Sequence, residues 1–125
     1  MADVSDLIGT PFRYGARGAD AYDCYGLVME CARRDGVTLP DFGSVDNMGM
    51  NAAIVGASLP QWQETSRRPG VVVLLRVGRF IAHVGYVLDG GGRFIHAWEG
   101  SGGVTIERLD EWKQRIVGFY EYVGS

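Results

Sequence analysis

The chain carries few of the features by which charge, membrane affinity or cross-linking define a protein. Its 125 residues include two cysteines and two histidines, and the net charge is only −3. There is no basic block and no acidic tail, so nothing in the charge pattern points to nucleic acid as a partner. The longest unbroken aliphatic run, Val71 to Leu75, is too short to cross a bilayer, and membrane insertion through such a run is excluded. The opening Met-Ala-Asp-Val-Ser-Asp lacks the basic-then-apolar order of a secretory leader. No signal peptide is expected, and synthesis in the cytoplasm is. Two cysteines are too few for a disulfide scaffold and fit a reducing compartment.

What is present suggests one domain over residues 1–125, long enough for a sizeable core. The 19 glycines follow no collagen-like or linker period and fall mostly at turns between apolar runs. Neither the run at 90–92 nor the one at 100–103 both follows a strand and opens a helix, as a phosphate loop would, and no cofactor is expected.

The stretch from Tyr22 to Gly36 organises the rest. It reads as a helix, with Asp23 as N-cap and Gly36 as a left-handed stop. Cys24, Leu27, Val28, Cys31 and Ala32 fall on one apolar face. Cys24 also sits at the helix N-terminus, where free N–H groups and the helix dipole favour an anion. That position is expected to lower its pKa and raise its nucleophilicity. Packing in the core is the plainer role for a buried cysteine, and it is the one expected of mid-helix Cys31. An intact helix separates the two Cα atoms by about 10 Å, too far for a disulfide.

Elsewhere, Val4 to Ile8 reads as a short helix broken by Gly9-Thr10-Pro11. Residues 12–15 form an aromatic loop or extended segment, and 37–43 an irregular connector. Asp46 to Ser58 is expected to be a second helix. Pro60 to Pro69 reads as a polar connector carrying Trp62. Strands are expected at Val71–Arg76, Ala82–Leu88, Arg93–Trp98, Val104–Glu107 and Ile116–Val123, with a helical turn at Leu109–Gln114. Asp89-Gly90-Gly91-Gly92 is hairpin-turn material. Helices first and an antiparallel sheet second make an α+β layout.

Both histidines fall in that hairpin. If Leu88 pairs with Arg93, Gly85 faces His96 and His83 faces Trp98. His83 and His96 are then diagonal neighbours on one sheet face, roughly 7 Å apart at Cβ. This suits a base and its orienting partner, although a strand histidine is more often simply buried and satisfied. A helix packed on that face would bring Cys24 to the pair. Zinc is the competing use of Cys24, Cys31, His83 and His96, but C-x6-C and H-x12-H match no common zinc spacing, and no metal is expected.

These residues resemble the NlpC/P60 family of cell-wall cysteine peptidases, which have a papain-like α+β fold. The resemblance runs through Gly9-Thr10-Pro11-Phe12-Arg13-Tyr14-Gly15, Asp23-Cys24-Tyr25-Gly26-Leu27-Val28, His83-Val84-Gly85-Tyr86-Val87 and Phe94-Ile95-His96-Ala97. It implies N-terminal helices packed on the sheet, Cys24 as nucleophile, His83 as general base and His96 as its orienting partner. It also implies an oxyanion donor in the Cys24 N–H, substrate contacts near Phe12, Tyr14, Asp23 and Tyr25, and a peptidoglycan stem peptide cut after γ-linked D-glutamate. An ion pair of Cys24 and His83 would give a bell-shaped pH profile.

The family's serine after the nucleophile is Tyr25 here, and its Pro-Gly-Asp before the first strand is Pro69-Gly70-Val71. A bulky residue after the cysteine, the single-domain length and the missing leader look similar to phage or prophage tail-associated members. The expected setting is therefore a phage or phage-like particle tail, with other tail proteins as partners. A structural tail protein on the same fold, with weak or lost activity, is the rival reading. An amidase or acyltransferase of the wider superfamily is another, but lipid-modifying acyltransferases place histidine before cysteine in the chain.

Overall fold

Asp23 sets the start of the helix around which the structure is arranged. In the computed structural model, which describes residues 2–43 and 55–124, α1 spans Cys24–Arg34. The Asp23 carboxylate accepts from the Gly26 N–H at 2.6 Å, so a free first-turn donor is satisfied from within the chain. Gly36 follows the helix with φ +87°, the left-handed conformation a glycine adopts without strain. Leu27, Val28, Cys31 and Ala32 are buried along one side, as their spacing predicts.

Among the described residues, six strands form one antiparallel sheet: β1 (Trp62–Thr65), β2 (Val72–Val77), β3 (Phe80–Val87), β4 (Arg93–Trp98), β5 (Gly103–Arg108) and β6 (Ile116–Tyr122). Their order across the sheet is β1-β6-β2-β3-β4-β5. A 3-10 segment over Leu109–Arg115 anchors Trp112. The arrangement is the α+β layout read from the sequence, and the β3–β4 register is the one the turn predicts. Tyr86 pairs with Ile95 and Val87 with Phe94, and the Leu88 N–H donates to the Arg93 carbonyl.

One expectation changes. Residues 62–65 of the expected connector form an edge strand, with Trp62 opposite Tyr122. The segment is polar because an edge strand exposes much of its surface, so its composition reads as loop. The closing strand β6 lies inside the sheet, between β1 and β2. The expected helix over 46–58 is described only at 55–58, which are helical, and the remainder lies outside the described residues.

The core lies on both faces of the sheet. On one face α1 rests across β3 and β4, and its Leu27, Val28, Cys31 and Ala32 join a buried cluster with Val72, Tyr86, Ile95, Ala97 and Val104. On the other, Val73, Leu75, Val87 and Phe94 pack with Leu109 and Trp112. The period-2 alternation of strands fixes which residue goes to which face. His83 shares parity with Val87, and His96 with Phe94, so both histidines stand on the face away from α1. The expectation that a helix would cover the histidine face is thereby corrected.

Candidate active site

Cys24 and His83 border one cleft beside β3. Among the described residues the β3–β4 ladder consists of the two pairs named above and does not continue to Gly85 and His96. In this stretch the N-terminus of α1 reaches β3, and the Cys24 thiol lies 3.9 Å from the Ala82 carbonyl oxygen. Cys24 and His83 line one cleft of about 230 Å³, with Phe12, Tyr14, Asp23 and Tyr25 among its other walls. All seven residues singled out from the sequence except His96 therefore border one space. His96 stands behind His83, fully buried.

The two imidazoles are joined directly. His83 Nε2 lies 2.7 Å from His96 Nδ1. His96 Nε2 lies 2.6 Å from Glu107 Oε2 on β5. His83 Nε2 is thus engaged by His96, and Nδ1 is its other ring nitrogen. Trp112 packs against both rings, with centroids 6.1 Å from His83 and 5.1 Å from His96.

Glu107 did not emerge from the sequence reading. The signal was the diagonal rule already applied to the histidines. His96 pairs with Thr105, so Glu107, two residues on, is its diagonal neighbour on the same face.

The electrostatics correct the expected acidic thiol. Burial, reinforced by the Asp23 carboxylate, pushes the Cys24 thiol up to about 11. The Val84 and Tyr25 N–H groups oppose this only in part. The helix terminus does favour a thiolate, but the carboxylate that caps it is itself a negative charge beside the sulfur. His83 is lowered well below its ordinary value by burial and then by His96. His96 is lowered by burial, against the pull of Glu107. Both shifts favour a thiol and a neutral imidazole at rest over an ion pair.

Asp23 borders the cleft, but its carboxylate is committed elsewhere. It accepts from the Gly26 and Gly15 N–H groups and pairs with Arg17 at 2.7 Å. Gly26 has a steric role, since a Cβ there would sit 2.4 Å from the Ala16 carbonyl oxygen. This close approach lets the loop before the helix fold over its first turn. Tyr25 donates its hydroxyl to the Pro40 carbonyl at 2.6 Å and packs its ring on Phe42, which in turn contacts Trp62 and Tyr122. Phe12 and Tyr14 stack edge to face, 5.0 Å apart. Cys31 is fully buried in the core, in the role expected of it.

Fold and site together define an α+β protein with a cysteine at a helix N-terminus beside a hydrogen-bonded pair of sheet histidines. Comparison with known proteins gives this class its place: residues 9–121 match the NlpC/P60 family. The chain belongs to that family. It is 32% identical over 120 residues to "Probable endopeptidase p60" of Listeria grayi, covering 94% of this chain and 21% of that protein. It is 28% identical over 121 residues to the protein of the same name from Listeria seeligeri, covering 95% of this chain and 21% of the relative. The chain thus spans about a fifth of the length of the curated relatives it matches.

Proposed function

We propose that the chain is a cysteine peptidase of the bacterial cell wall, with Cys24, His83 and His96 as its catalytic triad. The observation that carries this reading is the 2.7 Å bond from His83 Nε2 to His96 Nδ1, which leaves Nδ1 of His83 for the cysteine in the shared cleft. Family membership and the endopeptidase names of the relatives support the same chemistry.

In the proposed reaction His83 takes the thiol proton as the Cys24 sulfur attacks the scissile carbonyl carbon. The Cys24 N–H, at the start of α1, donates to the developing oxyanion. The imidazolium returns its proton to the leaving amine as the C–N bond breaks. Water, deprotonated by His83, then hydrolyses the thioester and frees the thiol.

The substrate is a peptidoglycan stem peptide, cut at the bond from γ-D-glutamate to the diamino acid. The setting is the tail of a phage or phage-like particle, where the chain opens the host wall beside other tail proteins after synthesis in the cytoplasm. The resemblance of the Cys24-Tyr25 pair to tail-associated members supports that setting. The test is mass spectrometry of purified peptidoglycan digested with the wild type and with Cys24→Ala. New fragments ending in D-glutamate, made only by the wild type, are expected. Their absence would favour the structural tail role.

A further inference from the structure

The triad leaves one carboxylate unused, that of Glu107. Its side chain is 31% exposed, while the imidazole it meets is fully buried. We propose that Glu107 is a positioning residue that sets the tautomers of both histidines, so that His83 presents an unprotonated Nδ1 to Cys24. This rests on the reading of Cys24 and His83 as nucleophile and base.

The argument is one of donors and acceptors. An ionised carboxylate only accepts hydrogen bonds. At 2.6 Å from Glu107 Oε2, His96 Nε2 must therefore carry the proton. A neutral His96 then has a bare Nδ1, which can only accept. Its partner at 2.7 Å, His83 Nε2, must be the donor. With its one proton on Nε2, His83 is left with a lone pair on Nδ1, the nitrogen available to take a proton from Cys24. Each assignment forces the next, and the first is made by Glu107.

Reversing that first step inverts the chain. A donor in place of Glu107 would bond to a bare Nε2 on His96. His96 would then donate through Nδ1, and His83 would accept at Nε2 and hold its proton on Nδ1. That form of His83 cannot act as a base toward Cys24. A doubly protonated His96 would have the same consequence, but burial of the ring disfavours it. Asp110, Glu111, Lys113 and Arg115 border the same depression as Glu107, and the first two oppose the charge of the last two. Arg93 and Arg108 face each other at the end of the β4–β5 ladder next to Glu107.

The two histidines of the chain give a direct test. Long-range nitrogen–proton NMR of the full chain, with isotope-labelled histidine at neutral pH, reports which nitrogen of each ring is protonated. The wild type should show protonated Nε2 and bare Nδ1 on both rings. A proton on Nδ1 of either ring would overturn the proposal without any variant. In Glu107→Leu the preference should be lost and the two forms mix, and in Glu107→Lys it should reverse. Alkylation of Cys24 by iodoacetamide, followed by mass spectrometry, should slow about twofold in Glu107→Leu and about tenfold or more in Glu107→Lys. Wild-type tautomers and an unchanged alkylation rate in a folded variant would also overturn it. Neither readout uses a wall substrate, so failure to cleave peptidoglycan would count against the proposed function and leave this inference standing.

Discussion

Arg17 and Asp23 form an ion pair at 2.7 Å immediately behind the cysteine, with Asp23 almost wholly buried. Arg17 also binds Asp41 at 2.9 Å, so one guanidinium ties the loop before α1 to the connector after it. The pair separates two effects of Asp23, one on the helix and one on the thiol. Asp23→Asn keeps an acceptor for the Gly26 N–H and removes the charge. The Cys24 pKa should then fall below about 11, as read by thiolate ultraviolet absorbance during a pH titration. Asp23→Ala loses the cap as well and should destabilise the fold by about 0.5–2 kcal/mol in denaturant unfolding.

Gly26 is fixed by the approach of the Ala16 carbonyl. Gly26→Ala should cost about 1–3 kcal/mol, because backbone rather than a flexible side chain must move. Urea unfolding of the two proteins checks this, and an equal midpoint would show that the loop gives way freely.

Tyr25 serves the wall of the cleft through both its hydroxyl and its ring. Tyr25→Phe keeps the contact with Phe42 and loses the hydrogen bond to Pro40, at an expected cost of about 0.5–1.5 kcal/mol. Alkylation of Cys24 should proceed at the wild-type rate, since the hydroxyl is bound to the connector. A slowed reaction would tie the hydroxyl to the thiol.

The buried histidines make stability depend on pH in a definite direction. Folding lowers both pKa values, so below the ordinary value of 6.5 the unfolded chain binds more protons than the folded one. Their contribution is complete above 6.5 and is lost as pH falls through the lowered values. The melting temperature should be level from about pH 7 to about pH 8, decline below that before most carboxylates titrate, and decline again above about pH 9, where the unfolded cysteines lose protons that the buried Cys24 and Cys31 keep. A melting temperature unchanged down to about pH 5 would contradict the neutral buried pair.

The same pair sets the shape of the activity profile. With His83 lowered and Cys24 raised to about 11, cleavage should hold a plateau across neutral pH instead of a narrow bell. Initial rates on purified muropeptides would distinguish the two. A bell centred near neutrality would indicate that substrate binding converts the resting pair to thiolate and imidazolium.

Local chemistry made much of the molecule legible in the sequence. An N-cap aspartate, a helical apolar spacing and a terminal glycine delimit α1, because each acts within a few residues of its own position. The glycine-rich turn fixes the hairpin register, and that register sets His83 and His96 as diagonal neighbours. Strand β1 was hidden because its pairing with β6 joins residues some sixty positions apart while its own composition is polar. Glu107 was within reach of the diagonal rule but needed the β4–β5 register, which the turn at 99–102 does not announce as plainly.

The tertiary structure decided the rest. Which sheet face α1 covers depends on how the whole sheet packs, and it proved to be the face opposite the histidines. The same packing brings Cys24, from α1, and His83, from β3, to the border of one cleft. The thiol's pKa was likewise beyond local reasoning. The helix terminus is written in the sequence, but burial and the neighbouring charge of Asp23 are set by packing, and together they outweigh it.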